Sequence, residues 1–169
     1  GNYLFSFGNP VQLKSKKSKR FPLLENSTGW SVLHNKLLYY CNVAPYEIRV
    51  YDPENGALKK VVFRRNDFLP PMLCRIIKAP DGTNGYMSTF KATSNGIYFF
   101  DNKIVHCTHL RHNSGTVIDF FRKDGTLLHS LKLDLDLLVK FIDTEGYLYG
   151  RIGGKEKPEA LVKYRIMVI

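Results

Sequence analysis

The chain has 169 residues, 44% of them hydrophobic and 13% aromatic, and carries a formal net charge of +10 at pH 7. That length and apolar content are enough for one domain with an ample core, and they exclude a disordered polypeptide. No apolar run approaches the ~18 residues of a membrane-spanning helix, and the charge steers polyanions or anionic surfaces toward the protein.

In chain order, Tyr3-Leu4-Phe5-Ser6-Phe7-Gly8 reads as an edge or outer strand. A long polar connection to Pro22 follows, with the basic run Lys14, Lys16, Lys17, Lys19 and Arg20. Such runs can neutralise phosphates, but a short Lys/Ser stretch between strands is more commonly a solvated loop, which is the expectation. A first unit spans residues 30–63, with strands near 30–33, 37–42, 46–52 and 57–63. Its last turn, Asp52-Pro53-Glu54-Asn55-Gly56, ends in Asn-Gly, which supplies the positive-φ residues of a tight hairpin.

Residues 64–96 read as an insertion dense in turn signals at Leu69-Pro70-Pro71, Ala79-Pro80-Asp81-Gly82 and Asn84-Gly85. It holds a poorly patterned strand pair, Cys74 to Lys78 and Tyr86 to Lys91. The second unit, 97–133, has strands at Ile97 to Phe100, Ile104 to Thr108, Thr116 to Phe121 and Thr126 to Leu133. Leu131, Leu133, Leu135 and Leu137 alternate with polar residues, which places all four leucines on one face of an extended segment. The third unit, 138–169, turns at Asp143-Thr144-Glu145-Gly146 and reaches a third strand at Ala160 to Ile166, with no fourth strand expected after it.

The units repeat one another. Asn35-Lys36-Leu37-Leu38, Glu47-Ile48-Arg49-Val50-Tyr51 and Asn55-Gly56 align with Asn102-Lys103-Ile104-Val105, Thr116-Val117-Ile118-Asp119-Phe120 and Asp124-Gly125. Gly146-Tyr147-Leu148-Tyr149 and Ala160-Leu161-Val162-Lys163-Tyr164 form a fainter third copy. Val117 and Leu161 are 44 residues apart, the period of a four-stranded propeller blade, whereas Ile48 and Val117 are 69 apart because of the insertion. The expected fold is therefore all-β: antiparallel four-stranded units forming a partial β-propeller in a single domain.

The chain resembles the six-bladed, NHL-like β-propellers. The resemblance rests on Glu47-Ile48-Arg49-Val50-Tyr51-Asp52 with Gly56, on Val117-Ile118-Asp119-Phe120-Phe121 with Asp124-Gly125, and on Leu4-Phe5-Ser6-Phe7-Gly8, which is similar to that family's outer strand. It implies about three blades of a ring and a fold shared by sugar, lipid, protein and RNA binders and, among related propellers, by metal-dependent lactonases. A fold of this kind does not choose among those activities. Since closed rings need four to eight blades, the expectation is a second copy or missing N-terminal blades to complete the ring, with Tyr3 to Phe7 pairing into a third blade of another copy.

The residues that could carry chemistry read as structural. Cys41, Cys74 and Cys107 form no C-x-x-C pair and suit buried strand positions. His106, His109 and His112 alternate across a strand rather than converge on a metal. Gly150-Arg151-Ile152-Gly153-Gly154-Lys155 lacks the first Gly and the final Ser or Thr of a phosphate loop. Asp101, Asp119 and Asp143 lie where a propeller lactonase holds its metal, but two of them occupy turns. No catalytic residue, metal or cofactor is assigned.

What remains is charge. Arg64, Arg65, Arg111, His112, Arg151 and Lys155 fall in connections that gather on one side of a propeller, making a basic loop face for a protein or anionic ligand. The leading expectation is a non-catalytic binding or scaffold module. The alternatives are a lactonase or hydrolase whose metal site lies partly outside the chain, and a nucleic-acid-binding propeller.

Overall fold

The computed structural model describes residues 29–42, 47–63, 73–89, 92–110, 115–153 and 159–167. The described residues are all-β, with thirteen strands and no helix, so none of them forms a helix able to cross a membrane. Every strand pairing among the described residues is antiparallel.

The first sheet is a meander of β1 (Gly29–His34), β2 (Leu37–Asn42), β3 (Glu47–Tyr51) and β4 (Leu58–Phe63). A separate hairpin follows, β5 (Leu73–Lys78) with β6 (Asn84–Thr89), so the 64–96 region does contain the strand pair expected there. The second four-stranded meander is β7 (Ala92–Phe100), β8 (Lys103–Leu110), β9 (Gly115–Phe121) and β10 (Leu127–Leu133). A three-stranded sheet ends the described chain: β11 (Leu137–Ile142), β12 (Tyr147–Ile152) and β13 (Ala160–Arg165).

β7 starts five residues before the expected Ile97. A bulge between Ser94 and Gly96 breaks the period of two, and Thr93, Ser94 and Asn95 are polar yet buried, so hydrophobic patterning has nothing to register there.

The three main sheets pack face to face. β7 touches β1 and β2 on one side and β11 on the other, which leaves the second sheet in the middle. Strand alternation divides its side chains between two cores. Ile97, Ile104 and Phe121 meet Tyr39, Cys41, Ile48, Val50 and Val62 of the first sheet. Val105, Cys107, Ile118 and Phe120 meet Leu137, Val139, Ile142 and Leu148 of the third. Covered on both faces, β9 is buried along its whole length, which is why Val117-Ile118-Asp119-Phe120-Phe121 reads as a nearly continuous apolar run. Each fully buried Ile, Leu or Phe in these cores contributes about 1.5–3 kcal/mol.

The hairpin turns of the three main sheets emerge at one rim. Asn35-Lys36 and Asp101-Asn102 place two successive non-glycine residues at positive φ, between 44° and 61°, the conformation of a two-residue hairpin. Arg122–Thr126 and Asp143–Tyr147 share another design. The first N–H bonds to the fifth carbonyl, and a glycine at the fourth position, Gly125 or Gly146, takes positive φ and donates back to the first carbonyl. Gly56 fills the equivalent place between β3 and β4 in a turn one residue longer, so Gly56 and Gly125 are counterparts, as the repeat alignment predicts.

Candidate functional site

The strands that lead into the connections between β2 and β3, β8 and β9, β10 and β11, and β12 and β13 all end at the rim opposite those turns. Side-chain contacts establish that the sheets are aligned. On the turn rim, His34 stacks on Phe99 with ring centroids 3.8 Å apart. On the other rim, Ser94 interacts with Cys41, and Asn95 Nδ2 donates to the Leu137 carbonyl at 3.0 Å.

Of the six residues proposed from sequence, Arg151 is described and stands near this rim. Arg64, Arg65, Arg111, His112 and Lys155 lie outside the described residues, although Phe63, Leu110 and Gly153, which precede three of those segments, end there too. Arg151 is half-exposed and donates to the Glu159 carboxylate at 2.8 Å, so its charge is already matched. Elsewhere on the sheets, Arg49 Nε lies 2.6 Å from Glu47 Oε1, and His109 Nε2 lies 2.7 Å from Asp136 Oδ1. An exposed pair such as Arg151–Glu159 adds ~0–1 kcal/mol to stability; its consequence here is local neutrality.

The described residues hold 14 of the 25 Lys and Arg but 12 of the 15 Asp and Glu. Most of the excess positive charge therefore belongs to the N-terminal segment and the connecting segments, and little of it to the sheets.

Below the rim lies a buried polar cluster that sequence reasoning did not assemble. Ser94 Oγ is 2.9 Å from His106 Nε2. On β9, Asp119 is the register partner of His106, and both are fully buried. Burial holds the His106 imidazole down at a pKa of about 4, outweighing the opposite pull of the Asp119 carboxylate, so the ring is neutral at physiological pH. Burial likewise pushes the Cys41 thiol up to about 12 and the Cys107 thiol higher still. Both cysteines are unoxidised and buried, as expected for small apolar residues in strands; nothing is described of the Cys74 side chain. One signal for the cluster was available in the sequence: Asp119 is an acid inside an otherwise apolar strand, across from His106.

The cluster has a Ser, His and Asp, but it is sealed. Ser94 is 3% exposed and the other two not at all, so no substrate reaches Ser94 Oγ. His109 points to the opposite face and pairs with Asp136, and no group of three metal-ligating residues occurs among the described residues. The three carboxylates at the lactonase-like positions are dispersed. Asp101 sits in a hairpin beside Lys103, Asp119 is interior, and Asp143 accepts from the Glu145 and Tyr147 N–H groups at 3.0 and 2.8 Å.

Polar side chains also fasten the third sheet to the second. Thr116 Oγ1 accepts from the Leu137 N–H at 3.0 Å and lies 3.1 Å from the Leu135 and Leu137 carbonyls. Tyr98 donates to the Val139 carbonyl at 2.8 Å. These bonds hold the link between β10 and β11, and with it the rim, in one geometry.

Comparison with protein-family models, curated proteins and solved structures returns no match.

Proposed function

We propose that the chain is a non-catalytic binding module made of successive propeller-type blades, and that it receives an anionic partner on the rim opposite the hairpin turns. The observation that carries this reading is the partition of charge. Acids and bases are nearly balanced over the sheets, while the surplus of bases falls in segments that connect strands ending at that one rim or precede β1. A partner at the rim meets the surplus of positive charge beside a nearly neutral set of sheets, which favours long-range steering of anions.

The blade reading is supported by the adjacency of the first strands, β1, β7 and β11, and by the repeated four-strand meander with equivalent turns. The non-catalytic reading is supported by the sealing of the Ser94, His106 and Asp119 cluster.

The test is anisotropy of a labelled polyglutamate peptide and of a labelled single-stranded oligonucleotide across a salt series. Binding of the acidic peptide that weakens steadily with salt is the expected result. Binding confined to the oligonucleotide favours the nucleic-acid alternative, and salt-independent or absent binding of both probes overturns the anionic-partner reading.

A further inference from the structure

The third sheet turns one face to the core and carries a different chemistry on the other. Leu137, Val139, Ile142 and Leu148 pack against the second sheet, so Tyr147 and Tyr149, which flank Leu148, project from the opposite face. Their register partners join them there. Tyr149 has Phe141 across from it on β11 and Lys163 across from it on β13, and Tyr147 has Arg165. The Lys163 ammonium sits over both tyrosine rings, 3.8 Å from the Tyr147 centroid and 5.2 Å from that of Tyr149, and the Arg165 guanidinium is 5.8 Å from the Tyr147 centroid. The Phe141 ring lies 6.1 Å from that of Tyr149 and is 57% exposed.

The faces that meet inside the stack are built from aliphatic and aromatic side chains. Here, by contrast, Lys163 and Arg165 are exposed and take part in none of the ion pairs among the described residues. An apolar surface laid over them would bury two uncompensated charges, so an occupant must bring anions as well as flat apolar area. The Asp143 carboxylate is held in its own hairpin, where it accepts from the Glu145 and Tyr147 N–H groups and the Tyr149 hydroxyl.

We propose that this face binds single-stranded nucleic acid, with a base stacked on Phe141 and phosphates drawn to Lys163 and Arg165. An unpaired strand offers both things the face lacks, exposed base faces for an open ring and a negative charge at every nucleotide for the cations. The tyrosines keep the Lys163 ammonium in place beside the stacking ring. A duplex hides its base faces within its own stack, and an acidic peptide supplies charge without flat rings; neither uses Phe141. The anionic rim lies on other residues, so each surface can fail without the other.

The experiment is anisotropy of a labelled oligothymidylate of about 12 nucleotides with the full chain across a salt series, together with ultraviolet crosslinking mapped by mass spectrometry. Wild type is compared with Phe141→Leu, which keeps an apolar side chain without a ring, with Phe141→Trp, and with the Lys163→Ala/Arg165→Ala double variant. The expected result is binding weakened about five- to hundredfold by Phe141→Leu and kept by Phe141→Trp, with a crosslink at Phe141 or Tyr149. The double variant should make the slope of log affinity against log salt shallower by about 1.4, the share of two phosphates in a single strand. Reversing Arg64, Arg65, Arg111 and Lys155 to Glu should weaken acidic-peptide binding at the rim and leave the crosslink at Phe141 or Tyr149, which separates failure of the rim from failure of this face. No oligothymidylate binding, a Phe141→Leu affinity within twofold of wild type, an unchanged slope in the double variant, or crosslinks confined to other strands overturns the proposal. Binding of phosphatidylserine vesicles without binding of the oligonucleotide overturns it too, because the face then meets a membrane surface.

Discussion

Ser94 Oγ and His106 Nε2 lie 2.9 Å apart inside the interface between the first two sheets, on strands that are neighbours in the second. Burial of this ring, against the opposite pull of the Asp119 carboxylate, makes the fold respond to acid. The folded-state pKa of His106 is lowered from 6.5 to about 4, so the unfolded chain binds this proton more tightly. The sign follows by linkage: stability is intact above pH 6.5, falls as pH drops from 6.5 toward 4, and levels off below that for this group. The loss across the window is ~3 kcal/mol. Urea unfolding at a series of pH values should show this slope in wild type and its disappearance in His106→Gln, whatever the variant's absolute stability. A wild-type curve that is flat between pH 6.5 and 4 contradicts the account.

Two turn glycines should differ in tolerance. Gly146 has φ 84°, and a Cβ there would lie 2.6 Å from the Phe100 ring. Gly125 has φ 95°, but its added Cβ meets nothing closer than 3.2 Å. Both Ala variants carry the cost of positive φ, about 1 kcal/mol, and Gly146→Ala adds a clash that brings it to about 2–3 kcal/mol. Thermal melts of the two variants under identical conditions check the order.

Cys41 and Cys107 should be chemically silent in the native protein. Both are fully buried, and burial raises both thiols well above the usual range. In a Cys74→Ser background, a thiol reagent at pH 8 should label neither until denaturant is added. Labelling of either on the timescale of an exposed thiol would show that the interfaces open readily.

Where the sequence could be read, one physical signal dominated each element. The first sheet was legible to within a residue or two, because Asn35-Lys36 and Asn55-Gly56 punctuate strands that alternate cleanly. The start of β7 was not, because its buried face is made of Thr93, Ser94 and Asn95, whose partners are side chains and carbonyls distant in the chain. The leucine alternation from 131 to 137 was read as one extended segment. It proves to be two strands joined by a bend, with a common face because both line one groove. For the rim, sequence located the bases but not their partners. Arg151, placed on the basic loop face by sequence, is paired with Glu159, eight residues on and across the β12–β13 connection.

That pairing shapes the measurement that tests the anionic rim most directly. Two charge-reversed proteins are compared for binding the labelled polyglutamate peptide at low salt. In one, Arg64, Arg65, Arg111 and Lys155 are changed to Glu. In the other, Lys36, Lys59, Arg122 and Lys123, which belong to the turn-rim end of the sheets, are changed to Glu, so that net charge falls equally. The account predicts at least tenfold weaker binding for the first and less than threefold for the second, with Arg151→Ala near wild type because Glu159 already neutralises it. Equal losses in the two reversed proteins would mean that total charge, and not this rim, attracts the partner.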